Sequence, residues 1–153
     1  MKNEDENSEI DDVNKVERQI TEKIMSGLKD NEFKMYLQFI VDRQTKRIVS
    51  AEALSRWENK DHGILGPASY IEKMEELGII PELDFYMFDL ACRQLEKWNN
   101  SPYKDISISC NFTRITLSED NFAQRLKDVF EKYNFDISKI AIEITEDAME
   151  KDT

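Results

Sequence analysis

Three oxygen-bearing side chains stand where a β-strand holds them at a cost. Glu143 lies in the run Ile140-Ala141-Ile142-Glu143-Ile144-Thr145, and Glu52 lies in Val49-Ser50-Ala51-Glu52-Ala53-Leu54. A carboxylate amid small and apolar strand neighbours is unfavourable unless it is paired or ligates a cation. Taken singly, each reads equally as an edge-strand glutamate that reaches solvent or an arginine. Asn111 ends a third run, in which Ile106, Ile108 and Cys110 alternate with Ser107, Ser109 and Asn111. Successive strand side chains face opposite sides. The runs around Asn111 and Glu143 therefore each have an apolar face for covering helices and a small or polar face that carries Asn111 or Glu143. Two glutamates and an asparagine at strand positions are the donor set of an oxygen-ligand metal site. The single histidine, His62, excludes a multi-histidine metal centre and argues against a Ser-His-Asp arrangement, and Cys92 and Cys110 fit no zinc or CxxC spacing. Metal chemistry here falls to Mg²⁺, Mn²⁺ or Ca²⁺.

The elements that must position these groups follow from hydrophobic periodicity. The 153 residues suffice for one compact domain. Six of the first twelve residues are acidic against Lys2 alone, so roughly half of the net charge of −11 falls in residues 1–12, expected to be an acidic disordered tail. Val13, Val16, Ile20, Ile24 and Leu28 recur at helical spacing and predict a lead helix over residues 13–30. Phe33 to Val41 and Arg47 to Trp57 read as two strands of a hairpin joined by the polar turn Asp42-Arg43-Gln44-Thr45-Lys46. Residues 59–63 read as a loop. A helix then opens at Gly66-Pro67 and closes at Gly78, a longer one carries Leu83, Met87, Leu90, Leu95 and Trp98, and a third carries Phe122, Leu126, Val129, Phe130 and Tyr133. Strands alternating with helices are the pattern of a largely parallel α/β sheet. No apolar run approaches the ~18 residues of a membrane span, the N-terminus is too acidic to be expected as a signal peptide, and two cysteines make a reduced cytoplasmic protein the expectation. The acidic balance argues against binding a nucleic-acid polymer.

Glu52-Ala53-Leu54 followed by Ser55-Arg56-Trp57 resembles the signature of the EAL domain family, the bacterial phosphodiesterases of cyclic di-GMP. The resemblance extends through Tyr36-Leu37-Gln38, Gly66-Pro67 with Tyr70-Ile71, Glu76-Leu77-Gly78-Ile79-Ile80, Leu83-Asp84 and Trp98. It continues through the strand ending at Asn111 to Ile142-Glu143-Ile144-Thr145-Glu146. These stand in family order from about Glu32 onward, so residues 32–153 are similar to the N-terminal half of an EAL domain. The resemblance implies a partial TIM-like (β/α) barrel with its first strand antiparallel, truncated after about half the barrel. It implies Mg²⁺ or Mn²⁺ bound by Glu52, Asn111 and Glu143. It also implies a substrate-binding set of Gln38, Leu54 and Arg56, with Gln38 lining the nucleotide pocket and Arg56 on a substrate phosphate. Glu146 would brace a loop near the metal rather than bind it.

The departures from the family are Phe39 in place of a common proline, Thr113 in place of a common serine, and the length. The paired aspartates of the family's DDFGTG loop and its later lysine, glutamate and glutamine have no counterpart here, since Asp11-Asp12 precede Val13 rather than Phe-Gly. The water-activating residues are thus missing from this sequence. The expectation is a truncated cyclic di-GMP phosphodiesterase domain, weak or inactive as this chain alone. The alternative is a non-catalytic cyclic-dinucleotide-binding or protein-interaction module. A half-barrel leaves open edges, so self-association or docking of a complementary barrel half is expected. The lead helix fits a link to an upstream sensor or cyclase domain. His62 reads as a loop residue, Cys92 and Cys110 as small core side chains, and Trp57 and Trp98 as packing.

Overall fold

The computed structural model describes residues 2–145. The first element is helix α1, Lys2–Lys29, which continues through the segment expected to be a disordered tail. Glu4 and Asp5 occupy its first turn, where the helix dipole favours negative charge, and the glutamates are good helix formers. Its apolar stripe changes environment along its length. Ile10, Val13 and Val16 are exposed, whereas Ile24 and Leu28 enter the core. Gly27 lets the helix approach closely, because a Cβ there would stand 3.1 Å from Trp57 Nε1 and 3.2 Å from a Phe33 ring carbon. The exposed ion pairs Lys23–Asp61 and Lys73–Glu17, at 3.7 and 3.8 Å, add little to this seat.

Strands β1 (Phe33–Val41) and β2 (Ile48–Asn59) form the expected antiparallel hairpin, with Gln38 opposite Glu52 and Tyr36 opposite Leu54. Its turn lacks glycine, and Lys46 takes the left-handed conformation (φ 61°) instead. The Asp42 carboxylate accepts from the Gln44 and Thr45 N–H groups at 2.9 and 2.8 Å, satisfying donors that a two-residue turn would not expose. A short strand missing from the sequence reading, β3 (Gly63–Leu65), folds back on the end of β2. The Asn59 side chain holds that turn by accepting from the Asp61 and His62 N–H groups, and His62 is an exposed loop residue.

A 3₁₀ turn at Pro67–Ser69 leads into α2 (Ile71–Glu76), and Gly78 (φ 72°) ends it. Next come α3 (Ile80–Trp98), β4 (Ser107–Thr113), a single helical turn α4 (Arg114–Leu117), α5 (Phe122–Lys132) and β5 (Ile140–Thr145). The main sheet order is β1-β2-β4-β5, with β3 paired to β2. β4 is parallel to both β2 and β5, and β1 is antiparallel to β2. This is an α/β fold with a mixed sheet.

The apolar face of β4 lies under α3, and Ile108, Cys110 and Phe112 are fully buried there. Phe112 packs edge-on to Phe85, Phe88 and Phe122 at ring separations of 5.4 to 5.7 Å. A second cluster, Phe33, Trp57 and Tyr70, fastens the hairpin to α1 and to the start of α2. Trp57 therefore packs, as expected. The apolar side of β5 is different, because Ile142 and Ile144 remain 37% and 63% exposed.

Candidate functional site

Strand parity sorts β2 into two faces. Ala51, Ala53 and Trp57 are buried toward the helices, and Ser50, Glu52, Leu54 and Arg56 take the opposite face. The same face receives Gln38 from β1, Ser107, Ser109 and Asn111 from β4, and Glu143 from β5. The parallel register aligns Glu52 with Ser109, which places Asn111 one side-chain step further along β4. The Asn111 carboxamide bridges that step, and its Nδ2 donates to Glu52 Oε1 at 3.1 Å. Glu143 is in direct register with Asn111 on its other side. Two carboxylates thus flank one amide across three strands.

This is an oxygen-rich set of the kind that holds a hard divalent cation, and its negative charge is what a cation would neutralise. Among the described residues, no group of three or more His, Cys, Asp and Glu side chains could hold a metal ion. Any cation here would rely on the asparagine oxygen beside the two glutamates.

Gln38 and Glu143 are exposed, and Glu52, Leu54, Arg56 and Asn111 are half-buried. Arg56 stands four residues past Glu52, about 13 Å along the strand at ~3.3 Å per residue. Its Nη1 donates to the Ser55 carbonyl at 2.7 Å, which folds the guanidinium against its own strand. Arg56 is therefore on the same face as Glu52 but not in contact with it in this arrangement. Glu146 lies outside the described residues.

Beyond the Glu52–Ser109 step β4 and β2 have no further paired residues, and a cleft of about 250 Å³ lies where the two strands part. Leu54 and Asn111 line it together with Glu75, Asp84, Thr113 and Thr145. Gln38, Glu52, Arg56 and Glu143 lie outside that lining, so the cleft borders the polar face rather than containing it.

A buried group at this junction carries no role in the sequence reading. Asp84, from the second turn of α3, is 7% exposed. Its Oδ2 accepts from Thr113 N–H and Thr113 Oγ1, each at 3.0 Å, and from Thr116 Oγ1. Burial pushes the Asp84 carboxyl above the ordinary carboxylate value, against the pull of these hydrogen bonds, and the charge of Glu75 adds to the rise. The signal that could have found it is a carboxylate inside the apolar run Leu83-Asp84-Phe85, which asks for buried partners. A second link, Ser55 Oγ to Tyr70 Oη at 2.7 Å, ties the start of α2 to β2 between Leu54 and Arg56. Cys92 and Cys110 are buried and unpaired, and burial pushes the Cys92 thiol up to about 12 and Cys110 upward as well.

The EAL domain family model matches residues 20–153. Among curated proteins, the chain is 25% identical over 105 residues to the bifunctional diguanylate cyclase/cyclic di-GMP phosphodiesterase MucR of Pseudomonas aeruginosa, an alignment covering 69% of this chain and 15% of the relative. It is 26% identical over 133 residues to the cyclic di-GMP phosphodiesterase NbdA of the same organism, covering 87% of this chain and 17% of the relative. The chain thus spans less than a fifth of these relatives' length. Among solved structures, the PaMucR phosphodiesterase in complex with c-di-GMP superposes with a TM-score of 0.75 at 21% identity, covering 81% of this chain and 50% of that one. The Xanthomonas citri FimX EAL domain in complex with c-diGMP gives 0.72 at 15% identity, covering 86% and 50%. At these identities the likeness speaks to the fold, which is of the TIM-barrel type, and the match along the sequence supplies the rest: this chain belongs to the EAL domain family.

Proposed function

We propose that this chain forms the metal-binding and phosphate-binding half of a cyclic di-GMP phosphodiesterase domain, with Glu52, Asn111 and Glu143 holding Mg²⁺ or Mn²⁺. The observation that carries the reading is the placement of these residues on one sheet face, with Asn111 Nδ2 3.1 Å from Glu52 Oε1 and Glu143 in register beside it. A bound divalent cation would supply an activated water and neutralise charge on the phosphoryl oxygens. The chain's own residues do the rest of the binding. Arg56 offers a planar, permanently charged fork for a substrate phosphate once Nη1 leaves the Ser55 carbonyl. Leu54 presents an apolar surface between Glu52 and Arg56, and Gln38 presents amide groups from the facing strand. Glu146 is assigned the bracing of a loop near the metal.

The same reading holds that the segment is half of a barrel and that these residues alone hydrolyse cyclic di-GMP weakly or not at all. It is supported by the 50% coverage of two solved EAL chains and by the lack of DDFG-like, lysine and glutamine counterparts in the sequence. Removing single groups of such a site already costs large factors in rate. The test is calorimetric titration of the chain with Mn²⁺ and then with cyclic di-GMP, with chromatographic analysis of the nucleotide. Cation binding lost in Glu52→Gln and Glu143→Gln, with little linear dinucleotide formed, is the expected result. Cation affinity untouched by both substitutions, or rapid turnover by the chain alone, overturns it.

A further inference from the structure

We infer that Asp84 is a positioning residue for the site: from α3 it clamps the turn after β4 and thereby holds the Asn111 carboxamide against Glu52. The paired residues of β4 and β2 end at Glu52 and Ser109, so the last residues of β4, Asn111 to Thr113, have lost sheet pairing on that side. On the other side β5 pairs with them through Thr113 and Thr145. Asp84 supplies what β2 does not. It takes the Thr113 N–H and Thr113 hydroxyl at 3.0 Å each and the Thr116 hydroxyl of α4, and Thr113 Oγ1 in turn accepts from the Thr116 N–H at 3.3 Å. One carboxylate oxygen therefore fixes both the end of β4 and the first turn of α4. All three side chains are at most 7% exposed, so water does not offer easy replacement partners.

Asn111 is two residues before Thr113 on the same strand face, and among the described residues its side chain hydrogen-bonds to Glu52. A strand end held on one edge alone can twist about that edge. A twist of this kind would carry the Asn111 side chain away from Glu52. Asp84 lines the adjacent cleft, and its hydrogen bonds go to Thr113 and Thr116 rather than to Glu52 or Glu143. Supporting groups of this sort typically change metal affinity by about 10- to 100-fold. The metal part of the inference rests on the proposed role of Glu52, Asn111 and Glu143, whereas the positioning of the carboxamide does not.

The test uses the isotope-labelled chain, with the Asn111 side-chain amide resonances identified by their loss in Asn111→Asp. In Asp84→Ala these resonances are expected to move to the position of a freely solvated amide, and the Mn²⁺ dissociation constant to rise about tenfold. Asp84→Asn keeps an acceptor oxygen and should fall between wild type and Asp84→Ala. Cys92→Ala removes a buried side chain from the same helix without touching the turn, and should leave the Asn111 resonances and Mn²⁺ affinity unchanged. If Asp84→Ala does not fold, Thr116→Val is expected to give a smaller change in the same direction. Unchanged Asn111 resonances in the folded variant, or equal changes in Cys92→Ala, overturn the inference. Failure of the wild-type chain to bind Mn²⁺ overturns the metal assignment, and the amide resonances still decide whether Asp84 positions Asn111.

Discussion

Replacing Thr116 by valine isolates one bond of the Asp84 cluster at nearly constant shape. Thr116 is fully buried, and its hydroxyl donates to Asp84 Oδ2. A hydrogen bond to a buried charged group contributes ~1.5–3 kcal/mol, and Asp84 retains the two Thr113 donors in the variant, so a loss of about 2 kcal/mol near neutral pH is expected. The pH dependence gives the sharper test. Burial raises the Asp84 pKa in the folded protein above its ordinary value of 3.8. Stability linked to this group is therefore fully present below the unfolded value and is lost as pH rises through the folded one. Thr116 is among the hydrogen bonds that hold that pKa down, so Thr116→Val raises it further and deepens the loss on the alkaline side. Below the carboxylate range Asp84 is neutral in both proteins, and only an ordinary hydrogen bond of about 1 kcal/mol separates them. Urea denaturation followed by circular dichroism at about pH 7 and about pH 3 measures both differences. A deficit that stays constant or grows on acidification, or one below about 0.5 kcal/mol at neutral pH, refutes the assignment of Asp84 as a buried carboxylate held by these hydroxyls.

Other outcomes follow from the same structure. Arg56→Ala is expected to weaken cyclic di-GMP binding by about tenfold or more while leaving Mn²⁺ affinity unchanged, because Arg56 stands about 13 Å along the strand from Glu52; coupled losses in calorimetry would contradict this separation. Phe112→Ala removes a ring enclosed by three others and should cost ~3–5 kcal/mol of unfolding free energy, and a melting temperature near wild type would show that the core is mis-described. Cys92 and Cys110 should resist an aromatic disulfide reagent in the native state and react at once in denaturant, since burial suppresses both thiolates. Ile142 and Ile144 on the outer side of β5 should drive association that rises with loading concentration in sedimentation velocity, and a strict monomer at every concentration argues against it.

Local pattern went far in this chain because strands and helices impose different periods on the same residues. The alternation around Cys110 and within Ile140–Thr145 placed Asn111 and Glu143 on one kind of face before any fold was known, and the EAL signature put Glu52 and Arg56 on another strand. Period is a property of a segment, so it could be read without neighbours. The turn at Asp42 to Lys46 was legible as a turn but not as one closed by Asp42 and a left-handed Lys46. The helical course of residues 2–12 was not legible from charge density, because helix propensity and dipole stabilisation favour glutamate at an N-terminus as readily as composition favours disorder.

What only the tertiary structure decided is register and depth. Whether Asn111 meets Glu52, Leu54 or neither depends on how β4 slides against β2, and a shift of one residue would send every one of these side chains to the other face. The parallel alignment of Glu52 with Ser109, the reach of Asn111 back across that step, and the end of the pairing just beyond it are facts of packing between segments some sixty residues apart. The same holds for Asp84, whose meaning depends on which donors the fold buries beside it. The sequence by itself determined the chemistry available, hard oxygen donors and one well-placed arginine on alternating strands. The assembled sheet determined which of those groups share a face, since that follows from long-range hydrogen bonding that no local period encodes.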